Sequence, residues 1–439
     1  MVETRAAVRE AGRRLWRRGA RGVRRTVARR SGLLAYLAVI GPGMVAANAG
    51  NDAGGIATYA QAGADYGYSL LWVFIPILIG LGIVQETCAR MGAVTGKGLS
   101  DLIREQFGVR WMAVVMLALL IANCGVTISE FVGIAAATEL LGVPRYVSVP
   151  VAALSVWWLV VRGSYKRIER VFLAMSLVFL GYIVSAFLAR PAWGEVGRGL
   201  IRPSIGFDAG YLFTIIALIG TTISPYMQVF VQSSVVDKGV RAEDYALTRA
   251  DVWIGTIFSI SVAFFIAVST AATLNKFGIR IESAADAARA LEPLAGTYAK
   301  LLFAVGLFGA SMLAAGVLPL ATAYSISEAL GFEKGVARGF REAPIFLGIF
   351  TFLIALGALV AMIPQLPLID VLLNMQVVNG LLLPVILIAV VRLVNNKELM
   401  GEYTNNRVYN TVTWLTVAIV SSLSIIFIAT KIFPGFIDQ

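Results

Sequence analysis

Long apolar stretches separated by short polar connections occupy almost the whole chain after residue 32. A helix that crosses the bilayer needs about 20 mostly apolar residues. On that basis the pattern predicts eleven spanning helices, at 33–61, 69–94, 112–142, 146–161, 171–189, 210–236, 250–274, 297–330, 344–364, 369–392 and 409–433. A soluble fold could not bury so many apolar segments, so the pattern indicates a multi-pass membrane protein.

Two of these predicted helices are interrupted near their middle. The first contains Asp52 within the glycine-rich run 50–55, and a charge at bilayer depth usually faces water or a ligand. The sixth contains Pro225 directly after small polar residues, and proline breaks a helix. The two helices open successive five-span units, and such paired interruptions indicate an inverted-repeat transporter that binds substrate between the breaks. The alternative is two kinked helices, with Asp52 paired to a neighbouring side chain.

The composition agrees with a single integral membrane domain. The chain of 439 residues is 58% hydrophobic and 14% charged, and its mean hydropathy is +0.79. We therefore expect an all-α membrane protein with a basic tail at 1–32, a transporter core at 33–395, and a last helix with the C-terminus at 396–439.

The net charge of +11 comes mostly from the N-terminal tail, because residues 1–30 contain eleven arginines. Beside a first span, such a tail places the N-terminus in the cytoplasm and attracts anionic lipid. No nucleic-acid-binding motif accompanies it. An odd number of spans then puts the C-terminus outside the plasma membrane. Residues 5–30 form either a basic amphipathic helix or a disordered tail.

The polar groups expected near the two breaks all offer oxygen atoms. They are the Asp52 carboxylate, the backbone carbonyls near Ala49 and Thr221, the Ser224 hydroxyl, and the Gln376 and Asn379 amides. Oxygen ligands suit hard cations such as Mg²⁺, Ca²⁺ and Mn²⁺. The chain contains no histidine, which is the commonest ligand of transition metals. For the two amides, hydrogen bonds between helices are the alternative role.

Several stretches between residues 40 and 395 resemble the NRAMP metal-ion transporter family. The matching stretches are 41–43 and 52–58 at the first helix, 89–99 after the second, 130–133 in the third, 291–296 and 313–316 around the eighth, and 376–378 with Pro384 in the tenth. Each match is short, but they occur in the family's order. The resemblance implies a LeuT-like fold of five plus five inverted repeats, with discontinuous first and sixth helices.

This sequence departs from the family pattern at the metal-binding positions. The resemblance implies binding of manganese or iron by Asp and Asn from the first break and a methionine sulfur from the sixth helix. Here Asp52 is kept, Gly55 stands in place of the Asn, and Ser224 stands in place of the methionine. A hydroxyl is a harder ligand than a thioether. The smaller residues should also leave room for an ion that keeps part of its water shell, as Mg²⁺ does.

The family's proton route is also altered. Tyr226 and Val231 replace its two histidines, and Thr127 replaces an Asp used in proton release, whereas Glu130 is kept. Glu130 is either a remnant of proton movement or a carboxyl held by hydrogen bonds in a buried site. The combination is similar to the NRAMP-related magnesium transporter branch. It implies uptake of Mg²⁺, and also Mn²⁺, as transported substrate, without proton coupling and without a prosthetic group.

Three other functions stay open on the sequence alone. They are a proton-coupled Mn²⁺ or Fe²⁺ symporter, an amino-acid or amine carrier of the same architecture, and an ion channel or metal-sensing receptor. An enzyme is not expected, because the chain has no Walker-type phosphate loop and no acid–base pair or triad. The oligomeric state is not determined by the sequence, and a monomer is compatible with it.

Overall fold

The computed structural model describes residues 41–162, 170–171, 174–175, 177–206, 208–282, 286–287, 299–336, 338–364 and 366–432. The predicted basic tail, the connection at 163–169 between the fourth and fifth predicted spans, and the family-like stretch 291–296 lie outside the described residues. Within the described part, all regular structure is helical.

Fifteen α-helices are described, and they are numbered in chain order. They are α1 Pro42–Ala49, α2 Ala53–Tyr66, α3 Phe74–Thr95, α4 Leu99–Leu140, α5 Arg145–Arg162, α6 Leu180–Leu188, α7 Trp193–Ile201, α8 Ala209–Thr222, α9 Pro225–Asp237, α10 Tyr245–Thr273, α11 Ala299–Leu330, α12 Pro344–Ala361, α13 Leu368–Val394, α14 Lys397–Met400 and α15 Arg407–Ile432. Short 3₁₀ turns occupy Leu71–Val73, Leu177–Phe179, Ala242–Asp244, Asn275–Phe277 and Gly401–Tyr403.

Eight membrane spans are recognised by length and apolar composition among the described residues. Three of the eleven predicted spans are not among them. The first predicted span, 33–61, is described only from residue 41 and is divided between α1 and α2. The other two, 146–161 and 171–189, correspond to α5, which has an arginine at each end, and to the short α6. The structure therefore agrees with a multi-span helical protein, and eight spans meet the length and composition criteria directly.

Both predicted helix breaks are present. The chain leaves helical geometry between α1 and α2 at residues 50–52, and between α8 and α9 at residues 223–224. Pro225 is the first residue of α9, the position where a missing amide proton costs least. Each of these two apolar segments, although continuous in hydropathy, therefore forms two half-helices.

A short helical segment precedes the third predicted span. The pattern indicated 112–142, and α4 runs from Leu99 to Leu140 with non-helical backbone at Gly108, where φ is +78° and ψ is 174°. Residues 99–107, which are polar enough to be read as a loop, form a separate helical segment, and the part of α4 after Gly108 agrees with the predicted span. Positive φ is strained for residues with a side chain and not for glycine.

The two half-helix pairs lie inside a ring of longer helices. α1 and α2 pack mainly against α10, α8 packs against α13, and α9 packs against α3 and α11. α4 forms the largest contacts with α11 and α13. This packing surrounds both breaks with protein, which is the condition under which non-helical backbone is tolerated at membrane depth.

Candidate metal-binding site at the two helix breaks

Asp52 caps the N-terminus of α2. Its backbone is extended, with φ −69° and ψ −178°, and its Oδ1 accepts a hydrogen bond of 2.5 Å from the Gly55 amide. Aspartate is a preferred N-cap because it satisfies an amide that has no partner within the helix. The side chain is fully buried. The break therefore holds one carboxylate in a fixed position, inside the protein and at the positive end of a helix.

Side chains from two other helices reach the same carboxylate. Gln376 of α13 donates its Nε2 to both Asp52 oxygens, at 3.2 and 3.3 Å, and the Thr221 hydroxyl of α8 donates at 3.5 Å. Gln376 fits because it lies over Gly54, where a Cβ atom would stand 2.9 Å from the glutamine Cδ. Gln376 Oε1 is buried and has no hydrogen-bond partner. An acceptor left in that state is costly unless a donor or a cation satisfies it.

Ser224 and Asn379 organise the second break. The Ser224 hydroxyl donates towards the carbonyls of Gly220 and Thr221, at 2.7 and 2.9 Å, and accepts from Asn379 Nδ2 at 2.7 Å. Asn379 Nδ2 also reaches the Gly220 carbonyl at 3.0 Å. The Asn379 Oδ1 is buried without a partner. The second break thus carries carbonyls, a hydroxyl and an amide, and no charge.

Two glycines bring α13 close enough for these contacts. A Cβ on Gly220 would lie 2.5 Å from the Gly380 nitrogen, and a Cβ on Gly380 would lie 2.7 Å from the Ile216 carbonyl oxygen. Real Cβ atoms do not approach backbone so closely, so the crossing of α8 and α13 requires glycine at both positions. Because the backbones touch there, the amides of Gln376 and Asn379 reach the break.

Tyrosine hydroxyls occupy the carbonyls that the first break releases. Tyr226 donates to the Ala49 carbonyl at 2.8 Å. Tyr59 donates to the Gly50 carbonyl at 3.2 Å and lies 3.0 Å from the Thr222 hydroxyl. The Ala49 carbonyl expected as a ligand is therefore already hydrogen-bonded, although a carbonyl oxygen has a second lone pair. Tyr59 was not foreseen, because only its position opposite the break distinguishes it from an ordinary core tyrosine.

The expectation that Gly55 leaves extra room is wrong for this conformation. A Cβ at Gly55 would meet the Gly50 carbonyl oxygen at 2.5 Å and the Thr221 hydroxyl at 2.9 Å. The space that a larger residue would use is filled by the chain itself, because the break folds tightly over the glycine. An ion with water ligands requires the break to open.

Glu130 joins the first break from α4. Its Oε2 accepts a hydrogen bond of 3.2 Å from the Ala53 amide, and its Oε1 lies 3.4 Å from the Ser129 hydroxyl. Asp52 and Glu130 therefore both bind amides in the first turn of α2. Thr127, one turn earlier on α4, is buried, and its hydroxyl has no hydrogen-bond partner. The structure thus gives Glu130 a role in holding α2, whereas Thr127 makes no polar contact with the site.

Met227 was overlooked as a source of sulfur at the break. Its side chain contacts Gly50, and its sulfur accepts from Gln85 Nε2 of α3 at 3.7 Å. The sequence reasoning compared only Ser224 with the family's methionine, yet a methionine stands three residues further along. Its proximity to the break depends on α9 starting at Pro225, which places Met227 in the first turn.

The arrangement offers a cation few charged side chains and several neutral oxygen atoms. No group of three or more Asp, Glu, Cys or His side chains able to hold a metal occurs in the described part of the chain. One buried carboxylate, with hydroxyl, amide and carbonyl oxygens around it, is the kind of oxygen-rich surrounding that hard cations accept. Val231, at the other altered histidine position, lies in the hydrophobic core.

Comparison with known proteins identifies the relatives of this chain. The family model for natural resistance-associated macrophage protein-like (Nramp) proteins matches residues 43–430. A divalent metal cation transporter MntH of Ralstonia nicotianae is 30% identical over 412 residues, which cover 87% of this chain and 88% of that protein.

Solved structures confirm the predicted fold. The manganese transporter of Eremococcus coleocola, crystallised with an aromatic bis-isothiourea compound, aligns with a TM-score of 0.73 at 20% identity and covers 93% of this chain and 90% of that one. MhsT in complex with L-phenylalanine aligns with a TM-score of 0.58 at 16% identity, over 88% of this chain and 98% of that one. The same LeuT-like fold thus occurs in proteins with quite different substrates.

Proposed function

The chain belongs to the Nramp family, and we propose that, as a divalent metal cation transporter of this family, it carries chiefly Mg²⁺, and also Mn²⁺, inward without protons. The observation that carries this proposal is the convergence of Asp52, Thr221 and Gln376 between the two breaks. Family membership favours metal transport over an amino-acid carrier or a channel. An enzyme is excluded by the same membership.

The preference for Mg²⁺ rests on the hardness of the groups around Asp52. Ser224 provides a hydroxyl and Asn379 an amide oxygen, and oxygen ligands favour Mg²⁺ over softer ions. The Met227 sulfur is partly occupied, because Gln85 donates to it. Such a site is expected to bind metals that prefer thioether ligands little more tightly than Mg²⁺.

The charge balance favours an ion that keeps some water. Asp52 supplies one carboxylate, and Glu130, which is hydrogen-bonded to the neighbouring Ala53 amide, is a second carboxylate at the start of α2. A divalent ion that contacts Asp52 directly still needs further oxygen dipoles, and Mg²⁺ retains several waters in most protein sites. The Gln376 Oε1 and Asn379 Oδ1 atoms, which have no donors, are suited to bind such an ion directly or through its waters.

Once the first break opens to admit the ion, rotation of one amide would add a ligand. In this conformation Gln376 presents its NH₂ group to Asp52, which is the stable orientation for a carboxylate without a cation. A bound cation favours the reverse orientation, with Oε1 towards the ion. The amide can then exchange a hydrogen bond for a metal contact without movement of α13.

Absence of proton coupling is supported by the surroundings of Glu130. Thr127 is a hydroxyl where a carboxylate would be needed for a relay, and its hydroxyl has no hydrogen-bond partner. The membrane potential can supply the driving force instead. A divalent cation gains about 4.6 kcal/mol per 100 mV on moving inward, twice the value for a unit charge.

The decisive experiment measures metal and proton entry together. The purified protein is reconstituted in liposomes loaded with a magnesium-sensitive dye or a pH dye, and an inside-negative potential is applied. We expect saturable Mg²⁺ influx, competition by Mn²⁺, and no metal-dependent acidification. Asp52→Ala liposomes provide the background. Acidification that depends on metal, or Mn²⁺ uptake that excess Mg²⁺ leaves unchanged, would contradict the proposal.

Proton-coupled Mn²⁺ symport is the second candidate. Two observations favour it: the Met227 thioether contacts the break, and Glu130 is retained beside Asp52. In that case Glu130→Gln would abolish acidification in the same liposomes. Under the first proposal Glu130→Gln has no proton flux to remove, so the variant separates the two candidates.

A further inference from the structure

We propose that a cavity beside α2 and α8 is a second divalent-cation site, which collects hydrated cations on the external side and delivers them to Asp52. We call it the outer cavity. Its volume is about 160 Å³, and its lining includes Thr58, Gln61 and Asp65 of α2 and Gly210, Thr214 and Ala217 of α8. This inference rests on the proposed function only for the identity of the ion that is transported.

The outer cavity is large enough for an ion with water ligands. A single water needs roughly 10–15 Å³ of such space, which is a small fraction of the volume present. Bare Mg²⁺ gives up water reluctantly. A site on the external side is therefore expected to hold the ion through its waters and to use few direct protein contacts.

The α2 wall of the outer cavity leads to the first break. Gly54, Thr58, Gln61 and Asp65 are spaced by four, three and four residues, so they lie on one face of α2. Thr58 donates its hydroxyl to the Gly54 carbonyl at 2.7 Å, and Gly54 is the residue covered by Gln376. Polar and small groups thus continue from the external end of α2 to the partner of Asp52.

The α8 wall repeats this arrangement. Gly210, Thr214, Ala217 and Thr221 have the same spacing of four, three and four residues, and the last of them donates to Asp52. Both walls therefore start at the outer cavity and end at the same carboxylate. Small side chains along the two faces mean that little volume has to be displaced between the outer cavity and Asp52.

The charge in the outer cavity is negative. Asp65 is exposed and lies at the C-terminal end of α2, which the predicted topology places outside, and the lining of the outer cavity contains no lysine or arginine. Asp208, whose Oδ1 would lie 3.3 Å from a Cβ on Gly210, adds a second carboxylate at the rim. Clefts lined by one sign of charge raise the local concentration of counter-ions.

The side-chain amide of Gln61 uses its donor and leaves its acceptor without a hydrogen bond. Its Nε2 donates to Asp65 Oδ2 at 2.5 Å, whereas its Oε1 is buried without a hydrogen-bond partner. A hydrated cation beside Asp65 would satisfy this oxygen through a water ligand. Asp208 is already engaged by the Tyr211 amide at 2.9 Å, so Asp65 and Gln61 are the groups best placed to bind the ion.

The test uses Mn²⁺ as a paramagnetic probe, with free Mn²⁺ measured by electron paramagnetic resonance. Wild-type protein should bind Mn²⁺ at two classes of site, a strong class of higher affinity at Asp52 and a weak class of lower affinity in the outer cavity. Asp52→Ala should keep the weak class, and Asp52→Ala with Asp65→Asn should lose it.

Gln61→Glu should strengthen Mn²⁺ binding in the weak class, because a divalent ion offsets the repulsion between two adjacent carboxylates. Glu282→Gln, which changes an exposed carboxylate elsewhere, serves as the matched control and should alter neither class.

Transport supplies the second measurement. Asp65→Asn should raise the KM for Mg²⁺ by about threefold to tenfold at low salt, as expected for lost electrostatic focusing, and leave the maximal rate unchanged. A weak Mn²⁺ class that is absent in Asp52→Ala, or that persists in the double variant, would overturn the outer site. Failure of the proposed function is distinct: the weak class would then be present although liposomes show no Mg²⁺ influx.

Discussion

The two helix breaks are built alike in the backbone and differently in their polar groups. At the first break, Asp52 and Glu130 both accept hydrogen bonds from the opening turn of α2. At the second, Ser224 occupies the corresponding cap position of α9, yet its hydroxyl makes no cap hydrogen bond and turns back to the carbonyls at the end of α8. One break therefore stabilises the start of the following helix, and the other closes the end of the preceding one.

Because of this difference, the first break carries the negative charge of the site and the second break carries the neutral groups that can select between cations. Two carboxylates at the positive end of α2 make the first break the anionic side of the site. The second break presents only dipoles, and its Ser224 hydroxyl is held by Gly220, Thr221 and Asn379. We expect changes at the first break to decide whether a cation binds, and changes at the second to decide which cation binds.

The largest effect should follow from Asp52→Ala. It removes the carboxylate that Gln376, Thr221 and the Gly55 amide all contact. Loss of one partner from a buried charge pair costs roughly 2–5 kcal/mol, so Mg²⁺ and Mn²⁺ influx should fall by about 30-fold or more. Initial rates of uptake into liposomes measure the effect, and size-exclusion chromatography checks the fold.

Asp52→Asn is the matched variant for this prediction. It keeps the volume and the acceptor for the Gly55 amide while it removes the charge. If charge is what binds the ion, both variants are inactive. Near-normal uptake by folded Asp52→Ala would show that the first break has only a structural role.

An intermediate effect is expected from Gln376→Ala. The amide links α13 to both Asp52 oxygens, and a hydrogen bond to a charged group contributes about 1.5–3 kcal/mol. The KM for Mg²⁺ should rise by about tenfold, with a smaller change in maximal rate. Asn374→Ala removes an exposed amide from the same helix and should leave both parameters unchanged. Equal behaviour of the two variants would remove Gln376 from the site.

The breaks themselves were predictable because they depend on local chemistry. Glycine and proline weaken a helix but do not always break it, because Pro150, Pro319 and Pro384 lie inside helices of this chain. The two breaks were recognisable from a carboxylate in an apolar segment and from the small polar residues before Pro225. Hydropathy placed most of the spans for the same reason. Its errors came where polar residues form a helix before a span, as at 99–107, which the non-helical backbone of Gly108 separates from the apolar part of α4.

The contacts between the breaks were not predictable, because they join distant parts of the chain. Tyr226 binds the Ala49 carbonyl across 177 positions, and the Met227 side chain reaches Gly50 only when α1 and α9 lie side by side. The role of Gly55 was misjudged for a related reason. Residue volume alone suggested room, whereas the fold places the Gly50 carbonyl and the Thr221 hydroxyl in that space.

The smallest effect, one of selectivity, should follow from Ser224→Met. The change replaces a hydroxyl by a thioether at the neutral break, and thioether favours softer ions. Competition of Cd²⁺ and Mn²⁺ against Mg²⁺ uptake should shift a few fold, about 1 kcal/mol or less, towards the softer ions.

Met227→Leu keeps the apolar contact with Gly50 and removes the existing sulfur. We expect it to weaken Cd²⁺ competition slightly and to leave Mg²⁺ uptake unchanged. A larger selectivity change in Met227→Leu than in Ser224→Met would transfer control of selectivity to the sulfur already present.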